Sequence, residues 1–285
     1  MLYTIGFLGT LSFLLLFLGW LAGGITGLGI AFLLVALTFL MGYIYPEKII
    51  MRIYKAKEYE NEEINEILKK LCFEAQVTIP KIFVIDSRIP NSLITGRSRS
   101  HFTIIITKGI FDLSRDEIEG VLSHQIGHAH RGDMSLMSAV AVIAYVISYI
   151  GQKAYWEFYL ENKKGVRKSI AIFLITVFAS PAIFITRTFL TNRTEYRADK
   201  IGSTITHKPL SIASAIRKME AIARHEKIKG PAATSHLWIV SPFGDDKLSN
   251  AFYSHPPLEN RLHMLESAAN KGRSEREFVE PSIGF

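Results

Sequence analysis

The stretch Val121-Leu122-Ser123-His124-Gln125-Ile126-Gly127-His128 decides how the rest of the chain is read. Its two histidines are four residues apart, and side chains at i and i+4 stack on one face of a helix because 3.6 residues make a turn. Ser114 followed by Asp116 and Glu117 is an N-cap arrangement, and the apolar period Ile118, Val121, Leu122, Ile126 leads from it into the histidines. The spacing therefore predicts that both lie on a helix. Such a pair can hold two corners of a zinc tetrahedron. In the metalloprotease form of this element, His-Glu-x-x-His, the glutamate beside the first ligand takes a proton from the water that the metal activates. Here that position is Gln125. Its amide has nearly the shape of a carboxylate and can hydrogen-bond a water, but it cannot accept the proton. The metal site is expected to be present and the general base absent.

The chain is 285 residues long and 48% hydrophobic, enough for one large or two small domains with a core. Lys and Arg exceed Asp and Glu by 33 to 26. That modest excess comes with no aromatic-basic module, so nucleic acid is not expected as a partner, and attraction to anionic lipid accounts for the charge. The single Cys72 excludes an intramolecular disulfide and a cysteine-based zinc site, and it falls in an apolar helical pattern as a core residue.

Residues 1–46 carry no charge. A hydrocarbon core about 30 Å thick needs roughly 20 helical residues, so this run is read as a transmembrane hairpin turning at Gly23-Gly24. It lacks the basic start and short apolar core of a cleaved signal peptide. Residues 47–133 form a first soluble part: an amphipathic helix from 61 to 75, a strand at 81–85, a hairpin of strands at 91–95 and 101–107, and the histidine helix. Two further uncharged stretches, 134–152 and 169–186, are read as a second transmembrane hairpin (134–190), with a re-entrant or interfacial hairpin as the alternative. Residues 191–285 complete the soluble part. Eight basic residues near the span ends on the soluble side (Arg52, Lys55, Lys57, Arg131, Arg187, Arg193, Arg197 and Lys200) stand against five in the loop between the later stretches, which puts the soluble part in the cytoplasm. The expected fold class is mainly α with a small β-sheet, an integral membrane protein with about four transmembrane helices and a zincin-like cytoplasmic catalytic domain.

Zinc with two histidines commonly takes a carboxylate as third ligand and leaves the fourth position open. If the second hairpin spans, its two soluble ends emerge side by side, and Glu195 is brought toward His124 and His128 by the chain path. Asp199, four residues on, shares the face of Glu195 and can accept a hydrogen bond from a ligand histidine, fixing the ring tautomer.

The run Arg193-Thr194-Glu195-Tyr196-Arg197-Ala198-Asp199 resembles the Glu-x-x-x-Asp element of the HtpX-like membrane metalloproteases, relatives of the CAAX prenyl proteases. Asn91-Ser92-Leu93-Ile94-Thr95-Gly96 is similar to that family's Asn-Ala-Phe-Ala-Thr-Gly segment. Ser235 to Pro242 resembles its later apolar segment, and Ser254-His255-Pro256-Pro257-Leu258-Glu259-Asn260-Arg261 its His-Pro-Pro element. The resemblance implies one zinc ion held by His124, His128 and Glu195, endopeptidase activity on misfolded or surplus membrane proteins in a stress response, polypeptide substrates, and a cytoplasmic catalytic face at the cell membrane. Against this pattern Gln125 departs, either as a replacement that spares the chain from cleaving itself or as the mark of a natural pseudoprotease that binds polypeptide without cutting it. Losing a positioned general base costs about 10²- to 10⁴-fold in rate. His255 and Arg261 are candidates to reach the oxyanion of the scissile carbonyl, the alternative being a turn histidine and a surface arginine. Asn91, Ser92, Leu93 and Ile94 form a candidate edge for an extended substrate, or an ordinary strand paired on both sides.

Overall fold

The structure is a computed structural model that describes residues 2–160, 192–243 and 255–279. Helix α1 (Leu2–Ile44) is broken at Gly23 and at Gly24, whose φ of +59° with ψ of −139° is open to glycine alone. Twelve residues along a straight helix span about 18 Å. Yet a Cβ on Gly19 would lie 2.5 Å from that of Ala31, so the chain doubles back as the Gly-Gly pair predicts. Among the described residues one helix, Gly23–Ile44, is long and apolar enough to cross a membrane, with a mean hydropathy of 2.3 over its most apolar stretch. Helix α5 (Asp133–Leu160) begins the expected second hairpin and packs on α1, where Gly42 meets Val142. The remainder of that hairpin lies outside the described residues.

After α1 come α2 (Pro46–Tyr54), the two-residue strand β1 (Lys57–Glu58) and α3 (Glu62–Ala75), capped by the Asn61 side chain on the Ile64 amide. β2 (Lys81–Ile85), β3 (Ser92–Ser98) and β4 (His101–Thr107) follow. The four strands form one mixed sheet in the order β1-β2-β4-β3, with β2 and β4 parallel and the other pairs antiparallel. β1 escapes the sequence reading because two residues carry no periodicity. The fold is thus mainly helical with a small mixed sheet.

β4 lies inside the sheet and is buried on both faces, so its Phe-Thr-Ile-Ile-Ile run does not alternate with polar residues. Ile104 and Ile106 pack with Leu68, Leu71, Val121 and Ile126 under helices α3 and α4 (Arg115–Arg131). Ile105 and Leu93 face the other way, toward Met137, Val140 and Trp238 beside α5. Three later helices close the domain: α6 (Asn192–Thr206), α7 (Pro209–Ala223) and α8 (Leu258–Val279). Between α7 and α8 a 3₁₀ turn (Ala232–Leu237) leads into a segment that lies along β3.

Candidate metal centre

Ser114 caps α4 in both senses: its hydroxyl accepts from the Glu117 amide, and the Glu117 carboxylate accepts from the Ser114 amide. The helix ends at Gly132 in the left-handed conformation, and every residue from Glu117 to Ala129 is buried. A helix so enclosed needs close neighbours. A Cβ on Gly127 would sit 2.6 Å from the Ala198 carbonyl oxygen, and one on Gly202 would sit 2.9 Å from Ser123 Oγ. These two glycines let α4 and α6 cross almost backbone to backbone. Glu195 and Asp199, on the same face of α6 as Ala198 and Gly202, are thereby pressed against His124 and His128.

The three expected donors meet. His124 Nε2 and His128 Nε2 are 3.2 Å apart, and the two Glu195 oxygens lie 3.5 Å from one or the other. Tetrahedral coordination at 2.0–2.1 Å sets ligand atoms about 3.3 Å apart, so the triangle has the dimensions of one face of a zinc site. Asp199 Oδ1 lies 2.7 Å from His124 Nδ1. A carboxylate can only accept, so the ring proton is on Nδ1 and the Nε2 lone pair points into the triangle. Burial pushes the His128 pKa down to about 3, which keeps that imidazole neutral, as a ligand must be. At His124 burial acts in the same sense, but the hydrogen bond and charge of Asp199 outweigh it and raise the pKa. The affinity for a proton there is affinity for a cation. The residues fit zinc.

Arg261 is buried, 2% exposed, rather than at the surface. Its Nε and Nη2 each donate to Asp199 at 2.8 Å and Nη1 donates to the Ile239 carbonyl at 2.9 Å. Burial would raise the Asp199 carboxyl, but the Arg261 charge and hydrogen bonds hold it at about 2. Nη1 also lies 3.9 Å from Glu195 Oε2, so Arg261 sets its charge against both carboxylates of the site. His255 lies beside the triangle: its Nε2 is 3.4 Å from Glu195 Oε2, and burial lowers its pKa.

Gln125 points its Nε2 to Ser92 Oγ at 2.7 Å, while its Oε1 is buried without a partner among the described residues. Asn91, Ser92, Leu93 and Ile94 are all buried, and much of their outer edge is taken. Trp238 bridges to Leu93, the Ile239 amide donates to the Ser92 carbonyl, and the Asn91 side chain donates to the Val240 carbonyl. Farther along, the Gly96 amide donates to Ser138 Oγ. The antiparallel bridge centred on Leu93 and Trp238 sets Ile94 opposite Leu237, so the 237–240 segment lines the outer edge from Asn91 to Ile94. His236, which no spacing in the sequence singles out, is a neighbour of the cluster. Its Nε2 donates to the Met137 carbonyl, its Nδ1 is buried without a partner, and Glu195 and His255 act on its charge.

Comparison with known proteins agrees with this geometry. Residues 58–269 match the family described as Peptidase family M48. The chain is 31% identical over 297 residues to "Protease HtpX homolog" of Sulfurihydrogenibium sp. (strain YO3AOP1), covering 99% of this chain and 98% of that protein. It is 32% identical over 268 residues to "Protease HtpX homolog" of Pyrococcus furiosus, covering 91% and 92%. A solved structure, that of S. mikatae Ste24p, aligns with a TM-score of 0.47 at 22% identity, over 90% of this chain and 62% of that one. The chain belongs to peptidase family M48.

Proposed function

We propose that this chain is a zinc-dependent membrane endopeptidase, with one zinc ion held by His124, His128 and Glu195, whose substrates are misfolded or surplus membrane proteins. The observation that carries the reading is the buried triangle of two Nε2 atoms and a carboxylate, with edges of 3.2, 3.5 and 3.5 Å. When bound, zinc polarises a peptide carbonyl and makes water acidic enough to supply hydroxide near neutral pH. The protein's own residues do the rest. Asp199, gripped by Arg261, holds the His124 ring in its ligating tautomer. Neutral His255, beside Glu195, is placed to donate a hydrogen bond to an oxyanion. The 237–240 segment lies along the outer edge of Asn91 to Ile94, so an extended polypeptide would pair with that edge only by displacing it.

Residue 125 stands where the proton would be taken, and glutamine cannot take it, so the chain as it stands binds polypeptide with little turnover. This is also what an inert polypeptide-binding member of the family would do. The chain is organised as a transmembrane hairpin (1–46), a first catalytic part (47–133), a second hairpin (134–190) and a second catalytic part (191–285), with the catalytic face in the cytoplasm. The exposed apolar surface of α1, including Phe13, Trp20, Phe32 and Leu33, supports insertion in a bilayer. The deciding experiment compares the zinc-loaded chain with its Gln125→Glu form on a denatured membrane protein, with and without chelator. Chelator-sensitive cleavage that appears only with glutamate supports the endopeptidase. A restored chain that still cuts nothing supports the inert binder.

A further inference from the structure

The two ends of the Gln125 amide are treated differently. Nε2 donates to Ser92 Oγ at 2.7 Å, and Oε1, equally buried, has no partner among the described residues. Ser92 cannot drift: it pairs with Ile106 across the sheet, its amide donates to Asn91 Oδ1 and its carbonyl accepts from the Ile239 amide. Its hydroxyl is therefore a fixed acceptor 33 residues away in sequence from the helix it touches. An acceptor buried without a donor is costly and persists where something else donates to it. Gln125 holds the position whose side chain meets the metal's water in the His-Glu-x-x-His element, so the natural donor is a water or an amide N–H in the triangle's pocket.

We propose that Ser92 is a positioning residue for the side chain at 125: by taking the amide N–H it leaves Oε1 as the atom offered to whatever occupies the metal pocket. This rests on the zinc-peptidase reading above. A hydroxyl can also reverse its sense, donating to one oxygen of a carboxylate and leaving the other where Oε1 now lies. Ser92 thus serves glutamine and glutamate alike.

The test uses the full-length, zinc-loaded chain and a peptide hydroxamate, which chelates zinc and carries its own N–H and O–H donors, with binding read by calorimetry. Ser92→Ala is expected to weaken hydroxamate binding about tenfold with zinc content unchanged, the scale of one oriented hydrogen bond. In a Gln125→Ala background the same change is expected to add nothing, because the effect passes through residue 125. In a Gln125→Glu background Ser92→Ala is expected to lower kcat about tenfold with KM held, and Ser92→Thr, which keeps the hydroxyl, to restore it. Equal losses from Ser92→Ala with and without Gln125, or no loss at all, would overturn the inference while leaving the zinc reading intact. A parent chain that holds no zinc would overturn both.

Discussion

At the residue scale the site is a chain of single hydrogen bonds, each fixing the next. Arg261 fixes Asp199, Asp199 fixes His124, and His124 offers one lone pair. The purified chain is accordingly expected to carry about one zinc per molecule, and metal analysis of a His124→Ala, His128→Ala double variant is expected to find none. Glu195→Ala removes a donor and should abolish tight binding. Asp199→Ala removes only the bond that orients His124 and should weaken zinc by about 10- to 100-fold in a chelator competition. An Asp199 variant that lost no affinity would mean that packing alone holds the ring. Gln125→Glu is expected to raise turnover by about 10²- to 10⁴-fold, some 3 to 5 kcal/mol of barrier. Ser92, where the segment it resembles has alanine, touches Gln125, and that contact gives Gln125 a partner within the fold itself.

At the element scale the site exists because α4 and α6 cross closely. Gly127→Val would drive a branched side chain into the Ala198 backbone, which cannot yield without moving the helix that carries Glu195 and Asp199. Zinc affinity is expected to fall at least tenfold, read beside a thermal melt that separates loss of metal from loss of fold. The start of α4 carries a different dependence, on pH. Burial would raise the Glu117 pKa, but Lys218, Ser214 and Ser114 outweigh it and hold the group at about 2, against an ordinary 4.5. A depressed acid stabilises the fold fully above 4.5 and loses that contribution as pH falls through 2. Lys218 is half exposed, so the contribution is about 2 kcal/mol after discounting for solvent. Glu117→Gln is expected to lower the melting midpoint at pH 7, with the gap to the parent closing between pH 4.5 and 2. What the sequence disclosed follows the same division. Helical spacing placed His124 and His128, the Ser114 and Glu117 cap was visible as a motif, and the chain path brought Glu195 near. Arg261 on Asp199, 62 residues apart, and Gln125 on Ser92 are tertiary pairings that no local period encodes. His236 escaped for the same reason, its partner Met137 lying 99 residues away.

At the scale of the whole molecule, α1 doubles back ahead of the domain that carries His124, His128 and Glu195, and on the proposed reading membrane orientation decides which polypeptides can reach that site. Helix Gly23–Ile44 is largely exposed up to its contact with α5 at Gly42, and α2 follows it at once, with Glu47 near Thr103 of β4. The β3–β4 turn is therefore close to where the hairpin ends. Its tip, from Arg97 to Ser100, adds two arginines to the eight basic residues counted near the span ends, which strengthens the case for a cytoplasmic face. Cysteine labelling can decide it cleanly, because the native Cys72 is buried and burial pushes its thiol up to about 12. Ser100→Cys, at an exposed tip, should resist a membrane-impermeant maleimide in intact cells and react once they are permeabilised. Lys164→Cys, in the loop expected outside, should react in both. The reverse pattern would turn the protein over and place its substrates on the other side of the membrane. Equal reactivity of both positions in intact cells would mean that residues 134–190 do not cross the bilayer, leaving the first hairpin as the anchor.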